Sequence, residues 1–214
     1  TLIIKNMVLS GFKGQKDPTY RGTAIYAEGD EKDLSVGGAA KIFIYNSILT
    51  GNARGVTALV DSQVTIVNSV IMNSTDTEES VNGGHGIVLN HSAKVNVAHS
   101  LFYNNQHGGE NSNVYKDNLC YNDKRNCELV DGGGNLEEDP KIGANYVLLE
   151  GSPLVDAGDS TLRDPDGSVS DVGVYGGPDA CGWDPDMAGC GDCDRDCTGK
   201  TCGDDDGCGG KSTN

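Results

Sequence analysis

The stretch VTIVNSVIMNS, residues 64–74, has an alternating apolar run, an Asn-Ser pair, a second apolar run and another Asn. Three further segments share this layout, with Asn or His as the breaker: IIKNMVLSG at 3–11, IFIYNSILTGN at 42–52 and VNVAHSLFYNN at 95–105. The breakers Asn6, Asn46, Asn68 and His99 lie 40, 22 and 31 residues apart. A constant motif at unequal spacing predicts a solenoid, in which one unit is repeated and loops are inserted between the units.

A further short strand precedes each of the last three segments: GTAIYAE at 22–28, GVTALVD at 55–61 and GHGIVLN at 84–90. Each unit therefore contains three short strands. Units stacked about 4.8 Å apart would form parallel sheets.

The breakers are expected to form a structural ladder. Stacking places Asn6, Asn46, Asn68 and His99 above one another, where side-chain amides exchange hydrogen bonds along the stack. Each such bond contributes about 1 kcal/mol, whereas an unpaired buried amide costs about 1–3 kcal/mol. The ring nitrogens of His99 are expected to take the place of the amide.

Composition limits both the core and the partners. Hydrophobic residues make up 36% of the chain and aromatic residues 6%, so the core must consist of small aliphatic side chains. A net charge of −16 argues against nucleic acid or an anionic membrane as partner. No apolar run approaches the roughly 20 residues of a membrane span, so no membrane insertion is expected.

The repeat over residues 2–105 resembles that of the right-handed parallel β-helix proteins of the pectate-lyase-like superfamily. Residues 132–177 look like the C-terminal closing segment of secreted bacterial members, with a DP turn, a GSP…DAG motif and a final YGG. The resemblance implies an all-β fold: a right-handed, single-stranded parallel β-helix with an irregular C-terminal cap and a disulfide-rich tail. The closing segment is expected to cap the exposed last edge of the solenoid.

Eight cysteines indicate disulfides and an oxidising compartment, and a zinc site among the last ones is the alternative. Residues 193–210 resemble Cys-rich repeats of large secreted proteins of myxobacteria-like bacteria. We therefore expect a β-helix part at 1–179, an acidic Cys-rich tail at 180–214, and a location outside a bacterial cell or on its surface. The cysteines are Cys120, Cys127, Cys181, Cys190, Cys193, Cys197, Cys202 and Cys208.

In β-helix lyases and hydrolases the reaction takes place on the outer face of one sheet. The resemblance implies that the corresponding sheet in this chain is formed by the strands that precede the bend. Alternation there leaves Tyr26, Leu59 and Val88 pointing outward, an apolar stripe that is the candidate binding face. It lacks the base of a lyase and the paired carboxylates of a hydrolase. The inward residues of the same strands are Ile25, Ala27, Ala58, Val60, Ile87 and Leu89.

The candidates for chemistry lie near the strand ends. His85, His91 and Lys94 fall within one unit and are the candidate catalytic groups; plain surface positions are the alternative.

Two sets of carboxylates are candidates for binding Ca²⁺, the one cofactor considered. Glu28 and Asp61 occupy equivalent strand ends with Asn90, and Asp164, Asp166 and Asp171 are spaced like a calcium loop in DPDGSVSD, with a plain turn as alternative.

These features favour a non-catalytic extracellular or cell-surface module for adhesion, assembly or glycan contact. Its expected partners are a polysaccharide or surface glycan, other domains, or further copies of the chain. One alternative is the C-terminal part of a polysaccharide lyase or glycoside hydrolase whose catalytic coils precede residue 1. The other is a self-assembling extracellular filament subunit, because the fold alone does not decide function.

Overall fold

The computed structural model describes residues 1–13, 22–29, 39–75, 83–116, 126–184 and 188–190. Short strands dominate, and the helical structure of these residues is limited to 3₁₀ turns at Ala144–Tyr146 and Ala180–Gly182, neither of them able to cross a membrane. The strands are β1 (Leu2–Lys5), β2 (Val8–Ser10), β3 (Thr23–Glu28), β4 (Lys41–Tyr45), β5 (Ile48–Thr50), β6 (Arg54–Leu59), β7 (Gln63–Val67), β8 (Val70–Met72), β9 (His85–Leu89), β10 (Lys94–Ala98), β11 (Leu101–Tyr103), β12 (Gln106–His107), β13 (Glu110–Asn111), β14 (Val114–Lys116) and β15 (Glu128–Asp131).

Each unit of the repeat adds one strand to each of three parallel sheets. Sheet 1 has the order β1-β4-β7-β10-β15, sheet 2 the order β2-β5-β8-β11, and sheet 3 the order β3-β6-β9-β14. Strands β12 and β13 form a separate antiparallel hairpin. The prediction of an all-β fold with stacked parallel strands is confirmed.

Like side chains stack on like within the sheets. In sheet 1 Ile44 lies beside Ile66, which lies beside Val97. These side chains belong to one aliphatic core, in which Ile44 and Ile66 are completely buried and Val97 is 3% exposed. The low aromatic content is consistent with this core, because parallel strands in close register bring small branched side chains into contact.

The four breakers share one backbone conformation. Asn6, Asn46, Asn68 and His99 have φ angles of 45°, 45°, 50° and 47°, in the left-handed region. Asn adopts this region at a lower cost than most residues because its short polar side chain bonds locally. The breaker is thus the bend between a strand of sheet 1 and a strand of sheet 2.

The Ser after each bend forms a ladder between units. Ser69 is completely buried, and its hydroxyl donates to the Val67 carbonyl at 2.9 Å and accepts the Ser47 N–H at 3.2 Å. Ser100 repeats this arrangement, accepting the Ser69 N–H at 3.1 Å. In the next unit the Asn135 side-chain oxygen accepts the Ser100 N–H at 3.0 Å. The Asn-Ser pair therefore combines a bend with an inter-unit bond.

The predicted exchange of bonds between the breaker side chains is wrong. The left-handed bend turns the amides of Asn6, Asn46 and Asn68 away from the core and toward residues 154–183, which we call the strap. A ladder of the predicted kind forms one bend later, where Asn104 donates to the side-chain oxygen of Asn73 at 2.8 Å.

The strap runs along the side of the stack, from the third unit back to the first. The Asn68 side chain accepts the Asp159 N–H at 2.8 Å, and Asn46 donates to the Asp171 carbonyl at 3.2 Å. The Asn6 amide donates to the Gly176 carbonyl at 2.9 Å. The expectation that the closing segment 132–177 caps the last edge holds for its beginning, where Leu136 pairs with Leu101 of the last sheet 2 strand. It does not hold for the strap, whose partners are the successive outward-turned bends.

Two glycines of the strap allow this close approach. A Cβ at Gly158 would lie 2.8 Å from Nδ2 of Asn68, and one at Gly176 would lie 2.7 Å from Nδ2 of Asn46. The DAG and YGG motifs thus place a residue without a side chain opposite a bend.

The strap also builds a second core against the outer face of sheet 2. Leu154, Val172 and Val174 are completely buried in it. They pack in one cluster with Ile48 and Val70 of sheet 2. Sheet 2 is thus buried on both faces, as the entirely buried strands β5 and β8 show.

Replacing Ser69 with Ala should lower the free energy of unfolding by about 1–3 kcal/mol, because the buried Ser47 N–H loses its acceptor. Chemical denaturation followed by circular dichroism measures this change. Ser160→Ala, in an exposed turn, is the control and should change stability by less than about 0.5 kcal/mol. Equal stability of the two variants would show that the serine ladder contributes nothing.

Candidate binding surface

The outer face of sheet 3 differs from the predicted stripe in register. Tyr26 lies beside Thr57, which lies beside Val88, whereas Leu59 lies beside Glu28. The prediction aligned Gly55 of the segment 55–61 with Gly22 of the segment 22–28. The observed pairing of Tyr26 with Thr57 differs from that alignment by two residues. Because side chains alternate with a period of two, the shift kept Leu59 outward but assigned it to the wrong row.

This face is closed. Thr57 is 2% exposed and Val88 is 6% exposed, and Tyr26 is half-buried. Because Thr57 and Val88 are buried, this row does not form the open binding stripe that was predicted. Among the predicted inward residues, Ile25, Ala27, Ala58, Ile87 and Leu89 do lie in the core, and Val60 is buried in the turn that follows β6.

The predicted stacking of Glu28, Asp61 and Asn90 is also changed by the register. Glu28 lies opposite Leu59, two residues before Asp61. Asp61 itself sits in a left-handed turn, and its N–H donates to the His91 carbonyl at 3.0 Å. Within the described part of the chain, no three His, Cys, Asp or Glu side chains are grouped to hold a metal ion.

His85, His91 and Lys94 do not share a groove. His85 opens β9, His91 lies in the turn after it, and Lys94 opens β10. At about 3.3 Å per strand residue, the Cα atoms at the two ends of β9 are already roughly 13 Å apart. Lys94 forms an ion pair with Glu128 at 2.9 Å.

His85 belongs instead to a buried polar cluster. It is 2% exposed, its Nδ1 lies 2.5 Å from the Ser112 hydroxyl, and its ring lies 4.5 Å from that of His107. Nδ1 of His107 lies 2.9 Å from the Gly83 carbonyl oxygen. The cluster joins β9, the β12–β13 hairpin and the corner at Gly83, and its contacts hold these segments together.

The acidic residues of DPDGSVSD bind backbone groups of the strap. Asp164 is 6% exposed, and its oxygens accept the N–H groups of Gly177 at 2.5 Å and Asp171 at 3.0 Å. Asp166 accepts the N–H and the hydroxyl of Ser168. These carboxylates therefore shape the turn, and the calcium assignment stays a prediction.

Burial makes two of these carboxyl groups weaker acids than an ordinary Asp side chain. Desolvation raises the pKa of Asp171 to about 6, and the nearby charges of Asp164, Asp156 and Asp166 act in the same direction. Desolvation also raises the pKa of Asp164, against the bonds that it accepts from Asp171 and Gly177. Hydrogen bonds from Ser168 lower the pKa of the exposed Asp166 carboxyl.

The cysteines are described in part. Cys181 and Cys190 form a disulfide, and Cys127 is disulfide-bonded. The remaining five lie outside the described residues, and so does most of the predicted tail at 180–214: Cys120, Cys193, Cys197, Cys202 and Cys208.

The outer face of sheet 1 offers the surface that the sequence reasoning missed. Phe43 and Tyr45 alternate along β4, so both point outward; their ring centroids are 6.3 Å apart and their planes differ by 4°. Both side chains are partly exposed. Ile3, beside Phe43, is 59% exposed, and Val67 lies beside Tyr45. We call Ile3, Phe43, Tyr45 and Val67 the aromatic strip.

A groove adjoins this strip where Tyr45 meets the strap. It is lined by Tyr45, Leu162 and Pro178 together with the polar residues Lys5, Asn6, Asn46 and Asp179, and its volume is about 350 Å³. The Lys5 ammonium and the Asp179 carboxylate are 3.7 Å apart, so their charges balance. A groove of this size is large enough for a small ligand.

The sequence did contain the signal for this surface. Phe43 and Tyr45 are two residues apart in IFIYN, between isoleucines that alternation places inside. The groove itself was not predictable, since Leu162 and Pro178 belong to a distant segment.

No protein-family model, curated protein or solved structure matches the chain.

Changing Asp171 to Asn should alter the pH dependence of stability. Between about pH 4 and about pH 6 folded Asp171 keeps a proton that the unfolded chain releases, so stability falls as the pH rises through this window. The amide removes this loss and retains the acceptor for the Asp156 N–H, a bond of 2.8 Å.

Denaturation midpoints measured from about pH 4.5 to about pH 7.5 should therefore favour the Asn variant most at the upper end. Asp159→Asn is the control, because hydrogen bonds from Thr161 lower the pKa of the Asp159 carboxyl and its charge is not among those that act on Asp171; its curve should run parallel to that of the unmodified chain in this range. Parallel curves for Asp171→Asn and the unmodified chain would contradict the raised pKa.

Proposed function

We propose that the chain is a non-catalytic extracellular module that binds an uncharged glycan through the aromatic strip and its groove. The observation that carries the proposal is the pair of partly exposed, nearly parallel rings of Phe43 and Tyr45 on a hydrogen-bonded sheet. Sugar rings present apolar C–H faces that pack on aromatic side chains, and a Tyr hydroxyl adds a polar contact.

The architecture that supports the strip is, in this proposal, a right-handed parallel β-helix like those of the pectate-lyase-like superfamily. Three parallel sheets that each gain one strand per unit support it. Right-handed crossovers between parallel strands are the rule because of strand twist. A rigid support lowers the entropic cost of binding, since the rings are already ordered.

The charges favour an uncharged glycan over a polyanion. The chain has a net charge of −16, and a polyanion would be repelled at long range. Around the strip Lys5 is matched by Asp179 and Lys94 by Glu128, and Lys41, two residues before Phe43, is exposed. The neighbouring outward residues Thr65 and Asn96 are neutral hydrogen-bonding groups.

The location follows from the chemistry of the thiols. Cys181 and Cys190 are paired, and Cys127 is oxidised as well. Such bonds persist in oxidising environments, which supports a place outside the cell. The structural roles of His85 and Lys94 support binding over catalysis.

Tyr45→Ala should weaken binding of a neutral polysaccharide about tenfold or more, because it removes half of the ring pair and one wall of the groove. Affinity electrophoresis with soluble neutral and uronic-acid polysaccharides measures this effect. Phe43→Ala should weaken binding as well. Leu149→Ala, at a side chain that is 49% exposed on a distant segment, is the control and should bind normally.

Binding that survives both ring substitutions would overturn the assignment of the strip. Preference for the uronic-acid polymers would overturn the argument from charge. Release of shortened or unsaturated products would replace the binding module with an enzyme.

A further inference from the structure

The aromatic strip continues across the strands of sheet 1 as a row of neutral polar side chains. The register places Phe43 beside Thr65, and Thr65 beside Asn96, on β4, β7 and β10. All three alternate with buried residues along their strands, so they point outward, and each is partly exposed. The surface that begins at the rings therefore extends over three neighbouring strands.

The side chains of the adjacent outward row become smaller in the same direction. Tyr45 lies beside Val67, and Val67 lies beside Ala98. Val67 and Ala98 are partly exposed as well. A ligand that begins at the Tyr45 ring can therefore lie close to the sheet over β7 and β10.

Thr65 and Asn96 supply the hydrogen-bonding groups of this surface. A hydroxyl and an amide can each donate and accept, which matches the hydroxyl groups of sugars. Within the described part of the chain, neither of these two side chains forms a hydrogen bond or an ion pair. Both can therefore bind a ligand without breaking a bond of the fold.

Two neighbouring features restrict the other directions in which a long ligand could leave the rings. Beyond Tyr45 along β4, Leu162 and Pro178 of the strap line the groove. Toward β1 the neighbour of Tyr45 is Lys5, whose ammonium lies 3.7 Å from the Asp179 carboxylate. A long ligand is therefore directed across β7 and β10.

We propose that the ligand is a straight neutral glycan, of the kind that β-1,4-linked hexoses form, and that it crosses sheet 1 from β4 over β7 to β10. This inference rests on the glycan-binding function proposed above. One sugar unit packs on the rings of Phe43 and Tyr45. Thr65 and Asn96 bind hydroxyl groups of the next two units, so Asn96 contributes only to the binding of chains long enough to reach β10.

The spacing of the strands favours a straight chain. Neighbouring strands lie about 4.8 Å apart, which is close to the length that each hexose adds to an extended β-1,4-linked chain. Such a chain places its units over successive strands. An α-1,4-linked chain coils, so its second and third units would leave the row of Thr65 and Asn96.

Isothermal titration calorimetry with cello-oligosaccharides of increasing length, from glucose to cellohexaose, tests the proposal. The affinity should rise about fivefold with each added unit up to about three units and then level off, because each unit over β7 and β10 gains a hydrogen bond. Malto-oligosaccharides of the same lengths should not show this rise.

Variants along the path should affect chains of different length. Asn96→Ala should weaken binding of cellotetraose about fivefold and leave binding of cellobiose unchanged, because cellobiose does not reach β10. Thr65→Val keeps the shape of the side chain, removes its hydroxyl and should weaken binding of both. Asn111→Ala, at an exposed asparagine of the β12–β13 hairpin, is the matched control and should bind every length normally. Matching thermal midpoints establish that all variants are folded.

The outcomes distinguish this inference from the function on which it rests. The affinity electrophoresis of Tyr45→Ala decides whether the strip binds glycans at all. Binding that depends on Tyr45 but does not rise from glucose to cellotriose, or that Asn96→Ala leaves unchanged at every length, overturns the path across the strands and leaves the strip in place. No binding of the cello-oligosaccharides, or equal or tighter binding of the malto-oligosaccharides, overturns the straight chain.

Discussion

The left-handed bend at the end of each sheet 1 strand is the constraint on which the structure depends. With φ near 45° to 50°, Asn6, Asn46, Asn68 and His99 turn the chain into sheet 2 and point their side chains outward. The following Ser places its hydroxyl between units, where it accepts the N–H of the unit before it. Direction and spacing of the stack are thus set by a residue pair.

The outward-turned amides then determine where the strap lies. Asn6, Asn46 and Asn68 each have hydrogen-bonding groups that would be costly to bury unpaired, and strap backbone groups supply the partners. Covering the bends requires a segment with little side-chain bulk at the contacts, which Gly158 and Gly176 provide. It also buries Asp164, whose oxygens replace water as partners of backbone N–H groups. The raised pKa values of Asp164 and Asp171 are a consequence of this coverage.

The sequence predicted what is periodic and local. Alternation identified the inward side chains and the three strands of each unit, because a strand has one face in the core. It did not determine the row of Leu59, since a shift by two residues leaves alternation unchanged. The partners of Asn68 and Asn6 were beyond its reach, because they lie 91 and 170 residues away. The aromatic strip was predictable from the alternation in IFIYN, whereas the resemblance to β-helix enzymes implied the outer face of sheet 3 instead.

The faces covered by other segments explain why the proposed binding surface lies where it does. Within the described part of the chain, the strap covers sheet 2 and the central outward row of sheet 3 is buried, whereas the outer face of sheet 1 keeps Phe43 and Tyr45 partly exposed. The strand that holds both rings, β4, is hydrogen-bonded to β1 on one side and to β7 on the other. A glycan on this face would therefore meet rings that are already ordered, which lowers the entropic cost of binding.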